Sequence, residues 1–438
     1  MKLFLLGTFL IGLYFLISTI PLLFALIGAP IPSKGFWVEF SVALGFIGLA
    51  MMGLQFAITA RFTGLANPYG IDVILQFHKQ ISIVAFAFIL AHPVILFVVE
   101  PSNLKLLNIF TAPWRAIAGI FSVIFLTIVI ATSIWREKLG LNYEIWRIVH
   151  GVFAILAVLL ALLHVVGVGR YVSLPWQQGL WIVMSLALVS ILIYVRLVKP
   201  FRLLTHPYII DSVKEERGDS YTLSLRAVGH EGMKFHPGQF AWLTLQNSPF
   251  AIEEHPFSFS SSALKPDKLD LTIKALGDFT EKARNTTPGT IAYIDGPHGV
   301  FTTDREEGPG FVFIVGGIGI TPIMSMLRTF ADREDVRPII LIYGNKSWEG
   351  VTFREEIEEL KEKLNLKVVH VLEEPPENWS GGTGFITTEL LEEHLPEEKL
   401  RYRYFICGPE KMMEVALDAV RAHGVSLENV RLEKFNLV

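Results

Sequence analysis

Cysteine is almost missing from this chain: Cys407 is the only one in 438 residues. One thiol cannot form an internal disulfide, and a cysteine-bound zinc or iron–sulfur cluster needs more than one. Any metal must therefore arrive as haem or be held by histidine and carboxylates. An excess of positive charge is missing as well, with 38 Lys and Arg against 42 Asp and Glu and a net charge of −4. No basic patch suggests nucleic acid, so none is expected as a partner. Acidic residues are scarce in the first half, and nearly all lie beyond residue 210. No low-complexity segment is present.

Apolar residues make up 51% of the chain, and the mean hydropathy is +0.45. They concentrate before residue 198, in six stretches near 3–27, 37–59, 73–99, 114–134, 145–168 and 179–198. Each is long enough to cross a hydrocarbon core of about 30 Å as a helix. The first is about twice the length of a signal-peptide apolar region and reads as a retained span. With the N-terminus inside, the inner side carries nine Lys and Arg near the helix ends and the outer side four (Lys34, Lys105, Arg115, Arg170). That bias predicts a multi-pass protein of the cell (inner) membrane with both termini cytoplasmic.

Four histidines repeat one spacing on two of these segments. His78 and His92 are fourteen residues apart, as are His150 and His164. On a helix fourteen residues is just under four turns, roughly 21 Å, so both members of a pair face the same way. Two such helices side by side place one histidine pair near each side of the bilayer, His78 with His150 inside and His92 with His164 outside. Each pair could clamp one iron as axial imidazoles, which predicts two haems b, since no Cys-x-x-Cys-His attachment motif exists. Hydrogen-bonding glue is the plainer role for an intramembrane histidine. The repeated spacing, and the cost of polar groups at that depth, favour ligation.

After Pro200 the pattern changes. YTLSLRAV, QFAWLTL, LDLTIKAL and TIAYIDG alternate like strands between turn residues and predict a compact antiparallel barrel ending near residue 304. From Phe311 strands alternate with helices, which predicts a parallel sheet. Three segments result: 1–198 membrane, 199–304 barrel and 305–438 α/β. HPFSFSSS (255–262) reads as a loop, and LTIKALGDFT runs from a strand into a turn with Gly277 and Thr280. IDGPHGVF offers Gly296 and Gly299 for close backbone approach. GGIGITP sets Gly316, Gly317 and Gly319 between a strand and a helix, where amides and the helix dipole favour a pyrophosphate. CGP follows the last strand at Cys407, Gly408 and Pro409.

These four loops in this order, with CGP behind them, resemble the ferredoxin–NADP reductase superfamily. Joined to the histidine array, nearly the whole chain resembles the ferric reductase/NADPH oxidase family, particularly its bacterial NADPH oxidase homologues. The resemblance implies a six-helix transmembrane di-haem bundle, then an FAD-binding barrel and an NAD(P)H-binding α/β domain. It implies that His255, Pro256, Phe257 and Ser258 lie against the flavin, with Lys274, Gly277, Thr280 and Gly296 around the rest of FAD. Gly316 to Pro322 (with Gly317, Gly319 and Thr321) and Cys407 to Pro409 would bind the nicotinamide dinucleotide. Phe435 would cover the flavin, although this chain continues with Asn436, Leu437 and Val438. Ser258, Cys407 and Phe435 are thus the expected catalytic residues.

Lys346 and Arg354 follow the second α/β strand and would suit the 2′-phosphate of NADPH. A solvated loop lysine and a helix-face arginine read equally well there, which leaves NADPH and NADH open. Electrons from NAD(P)H would pass through FAD and both haems to an outer acceptor, with no obligatory protein partner. Oxygen, giving superoxide, is favoured over a ferric chelate, because the outer loops hold few carboxylates (Glu100 is the clearest) and no His or Cys. A non-enzymatic haem-binding sensor is the remote alternative.

Overall fold

A computed structural model describes residues 2–27, 32–62, 69–245, 248–251 and 253–435. The extension Asn436–Val438 lies outside them. Two compact units emerge: Met1–Pro68 with Val73–Val198, and Tyr69–Asp72 with Lys199–Val438.

The first unit is built of helices α1 (Lys2–Leu26), α2 (Phe36–Ile58), α3 (Ile71–Val99), α4 (Trp114–Ile134), α5 (Tyr143–Val168) and α6 (Pro175–Ile193). All six helices are long and apolar enough to cross a membrane. Their outward faces are apolar too: Leu163, Ile182 and Val183 are each more than half exposed. Water disfavours so continuous a surface, whereas lipid does not. Helix α2 is the most enclosed, and small residues let its neighbours approach. A Cβ on Gly48 would lie 2.8 Å from Ile89 of α3, and one on Gly53 would lie 3.2 Å from Leu188 of α6. Helices α4 and α5 are pinned by Ser122 Oγ, which donates to the Ala157 carbonyl at 2.7 Å. Gly169 closes α5 in the left-handed conformation, with φ of 67°.

The second unit opens with α7 (Lys199–Leu204) and a six-stranded antiparallel sheet. Its strands are β1 (Tyr208–Glu216), β2 (Ser220–Ala227), β3 (Phe240–Leu245), β4 (His255–Ser258), β5 (Lys268–Lys274) and β6 (Ile291–His298), in the order β4-β3-β6-β1-β2-β5. A bridge between Phe259 and Leu271 and the bond from Ser260 N to Asp270 O join the two ends of the sheet. Tyr221, Leu223, Leu243, Phe259 and Leu271 fill its core. HPFS is not the loop expected from its sequence but an edge strand, with Ser258 paired to Phe240 and His255 to Leu243. Without it the outer edge of β3 would keep its amides and carbonyls unpaired.

Helix α8 (Asp278–Arg284) precedes β6, and the α/β region follows. Strands β7 (Phe311–Gly316), β8 (Ile339–Ser347), β9 (Leu366–Glu374), β10 (Gly382–Thr383), β11 (Arg403–Cys407) and β12 (Val430–Glu433) form a parallel sheet in the order β10-β9-β8-β7-β11-β12. Helices α9 (Ile320–Asp332), α10 (Arg354–Lys363), α11 (Thr388–His394) and α12 (Glu410–Ala422) supply the crossovers and cover. All six residues of β7 are buried, so it reads as an apolar run rather than an alternation. Strands β8 and β11 flank β7 on opposite sides. The winding reverses there, and in such sheets the crevice beyond the strands' carboxyl ends is where ligands bind.

Candidate functional site

In the first unit the four histidines meet as two pairs. The ring centres of His78 and His150 are 6.4 Å apart, and so are those of His92 and His164. An iron bonded to both imidazoles at about 2 Å would hold their centres roughly 6 Å apart. The hydrogen bonds agree with such ligation. His78 Nδ1 lies 2.8 Å from Gln55 Oε1, and Gln55 Nε2 donates to the Met51 carbonyl at 2.9 Å. The carbonyl contact fixes which end of the amide is oxygen, so His78 must carry its proton on Nδ1. His150 Nδ1 donates to Ser133 Oγ at 3.1 Å, while that hydroxyl donates to the Val129 carbonyl at 2.6 Å. His92 and His164 donate from Nδ1 to the carbonyls of Ser41 (3.0 Å) and Arg115 (2.8 Å).

All four rings are thus protonated on Nδ1, which leaves each Nε2 lone pair free to bind metal. Outer-sphere acceptors of this kind orient metal-binding histidines generally. The residues fit a bis-imidazole haem at both levels. Glycines make room for two of the rings: a Cβ on Gly119 would sit 2.8 Å from His164 Nδ1, and one on Gly45 would sit 3.3 Å from His92. Among the described residues, no group of three or more His, Cys, Asp or Glu side chains could hold a bare metal ion.

Gln55, Ser41, Ser133 and Gly119 were not singled out from the sequence. One signal was available. Ser41 and Gln55 are polar residues in an apolar span and lie fourteen apart, the spacing of the histidines they serve.

In the second unit, the loops after β7 and β11 meet at the winding reversal. A Cβ on Gly319 would lie 2.4 Å from the Cys407 carbonyl, and one on Gly408 would lie 2.9 Å from Gly316 N. These glycines are needed for the two loops to touch. Gly317, with φ of 51° and nothing within 4 Å of its missing Cβ, faces open space. A cleft of about 300 Å³ runs past Lys274, Gly317, Gly408, Pro409, Lys434 and Phe435. Phe435 is 43% exposed at its rim. Helix α9 starts directly after the Gly317–Gly319 turn, with Thr321 buried and Pro322 in the first turn. The Cys407 thiol is buried, which pushes its pKa well above the ordinary range, so it is no thiolate at neutral pH.

The HPFS strand is linked to the GDFT turn through a ring absent from the sequence-level candidates. Phe279 packs against His255 at 4.0 Å and Phe257 at 6.1 Å between centres. Thr280 Oγ1 shapes that turn by accepting from the amides of Leu276 (2.9 Å) and Gly277 (3.0 Å). Gly296 lies against Ala241, where a Cβ would approach to 2.7 Å. His255, Ser258, Thr280 and Gly296 do not line the cleft that holds Phe435. Lys346 and Arg354 are also separate from it. Lys346 pairs with Glu374 at 3.4 Å, and Arg354 lies over the Trp348 ring at 4.7 Å.

Three family profiles match the chain: "Ferric reductase like transmembrane component" over residues 44–161, "FAD-binding domain" over 219–300 and "Oxidoreductase NAD-binding domain" over 313–418. Among curated proteins it is similar to NADH-cytochrome b5 reductase 1 of Debaryomyces hansenii, with 34% identity over 33% of this chain and 52% of that one. NADH-cytochrome b5 reductase 2 of Aspergillus terreus is 32% identical over 35% and 50%. The chain spans about half the length of these curated relatives. Among solved structures it is similar to the flavohem-like FAD/NAD binding domain of nitric oxide dioxygenase from Vibrio cholerae, with 19% identity, a TM-score of 0.47, and 52% of this chain and 98% of that one covered.

The domains are those of an NAD(P)H-dependent oxidoreductase fused to a multi-pass membrane component. Together they make up the architecture of the ferric reductase/NADPH oxidase family, with ferredoxin–NADP reductase-like domains.

Proposed function

We propose that this protein carries electrons across a cell (inner) membrane, from cytoplasmic NAD(P)H to an acceptor on the outer side, using FAD and two haems b. The two histidine pairs, each 6.4 Å between ring centres with its Nδ1 protons engaged, carry this reading. When bound, these groups supply hydride acceptance and one-electron transfer, and the protein's part is to hold and orient them. His78 and His150 hold the inner haem through Nε2, and His92 and His164 hold the outer one. The amides at the start of α9 and the glycines after β7 and β11 take the dinucleotide phosphates. The β4 segment His255–Ser258 and Lys274 face FAD, and Phe435 shields the position that nicotinamide must enter. Ser258 serves as hydrogen-bond partner of the flavin's reacting edge.

Oxygen is the acceptor we favour, giving superoxide by one-electron reduction. Each histidine pair would hold its haem through two imidazoles, and a small neutral acceptor such as oxygen needs no ligand from the protein. A ferric chelate is the second reading, supported by the family whose profile matches residues 44–161. The test is anaerobic addition of NADH or NADPH to the purified protein, followed by oxygen or a ferric chelate, with the haem spectrum recorded throughout. We expect reduction of both haems, reoxidation by oxygen and detectable superoxide. Reoxidation by the chelate alone would select the second reading. Reduced flavin beside haems that stay oxidised would sink transmembrane transfer.

A further inference from the structure

The two histidine pairs differ in what receives their Nδ1 protons. Each imidazole of the outer pair has a main-chain carbonyl on its Nδ1, of Ser41 for His92 and of Arg115 for His164. Ser41 Oγ, which donates to the His92 carbonyl at 3.0 Å, also lies 3.0 Å from His92 Nδ1. His78 and His150 donate to side chains, Gln55 Oε1 and Ser133 Oγ. Gln55 is only 6% exposed and is locked in place, its Nε2 donating to Met51 O at 2.9 Å and to Tyr14 Oη at 3.0 Å. Tyr14 itself lies 8% exposed in the bundle core. An acceptor on Nδ1–H makes an imidazole a stronger electron donor, which favours the oxidised metal and lowers its potential.

We propose that Gln55 and Ser133 are positioning residues that set the potential of the haem held by His78 and His150, and of that haem alone. Each imidazole of the other haem keeps a backbone carbonyl acceptor, which no side-chain substitution removes. Single mutations can therefore strip the acceptor from an imidazole of one step of the relay but not from one of the other. This rests on the di-haem reading above. Burial of Gln55 merely as interhelical glue would predict a change in stability without a selective change in potential.

The experiment is an anaerobic spectroelectrochemical titration of the full-length protein, which contains two resolvable haem steps if the di-haem reading holds. A parent protein without two haems would overturn that reading rather than this inference. Gln55→Leu and Ser133→Ala should keep both haems and raise the midpoint of one step while the other stays put. Gln55→Glu keeps the shape and adds a stronger acceptor, so the same step should move down. Ser41→Ala removes a hydroxyl beside His92 Nδ1 but leaves the carbonyl acceptor in place, so the step set by Gln55 and Ser133 should stay put and the other should move less than Gln55→Leu moves its own. Joint movement of both steps, or of neither, in variants that hold two haems would overturn the assignment. So would loss of a haem from all three Gln55 and Ser133 variants, because the residues would then be structural.

Discussion

At the scale of single residues, the groups of the site range from buried to exposed. Gln55 and Ser41 belong to the first kind, almost wholly enclosed, while the four imidazoles are half-buried and Ser133 is exposed. Phe435 belongs to the second, 43% exposed at the rim of the cleft beside Gly317 and Pro409. A ring so exposed contributes little to the core, and substitutions at such positions usually change stability by about 0.5 kcal/mol or less. Its effect on catalysis can therefore be read without a folding defect. If the ring competes with nicotinamide for the flavin face, Phe435→Ala should lengthen the life of the stacked nicotinamide, and Phe435→Trp should shorten it. Charge-transfer absorbance in stopped-flow reduction measures this directly. Equal traces for Ala, Trp and parent would make Phe435 a packing residue.

At the scale of elements, helix α9 does more than follow the glycine-rich loop. Its polar residues Ser325, Arg328 and Thr329 form one stripe against the antiparallel sheet. Ser325 Oγ donates to Ser261 O at 2.7 Å, Thr329 Oγ1 accepts from Ala263 N at 2.9 Å, and Arg328 donates to Ser260 O at 2.7 Å. Arg328 also grips Glu356 of α10 with two bonds, of 2.6 and 2.7 Å. Burial opposes its charge, but Glu356 more than offsets this and raises its pKa. One helix thus ties the glycine-rich loop after β7 to the segment just after HPFS. Arg328→Ala should destabilise this region by about 1.5–3 kcal/mol, the usual worth of hydrogen bonds to a charged group. It should also slow flavin reduction, because the two sites lose their shared brace. Arg328→Lys should recover only part of both, since an ammonium cannot grip a carboxylate with two parallel bonds. Thermal unfolding and stopped-flow reduction check the pair of effects, and an unchanged melting temperature would refute the brace.

At the scale of the whole molecule, two units of opposite character share one chain, and the second holds a partly buried histidine that makes stability depend on pH. His370 on β9 sits against Trp348, and among the described residues neither ring nitrogen has a hydrogen-bond partner. Burial lowers its pKa to about 4. Its unfolded value is about 6.5, so between these two values the unfolded chain binds more protons than the folded one. Stability therefore rises with pH through that window and falls on acidification. From pH 6.5 to 5 the expected loss is about 1.6 kcal/mol. His370→Phe should flatten the profile. Thermal unfolding of the full-length protein across this range decides it, and an equally steep slope in the variant would assign the effect elsewhere.

Much of this was legible in the amino-acid order, because it depends on properties that are local along the chain. Six helices follow from the lengths of apolar runs, and the shared face of each histidine pair follows from the pitch of a helix. The strand, glycine turn and helix around Gly316–Gly319 follow from turn chemistry. Packing alone decided the rest. Gln55 is twenty-three residues from His78 and Ser41 fifty-one from His92, and only the apposition of α2 with α3 makes them partners. HPFS looked like a loop because a four-residue segment has too little periodicity to declare itself. It became a strand because the edge of β3 had hydrogen bonds to complete. Gly319 and Gly408 are needed partly for each other's loops, a requirement that exists only once β11 has been laid beside β7. Periodicity and composition are readable one turn or one strand at a time, whereas a hydrogen-bond acceptor or a steric limit supplied by a distant segment arises only when the chain has folded.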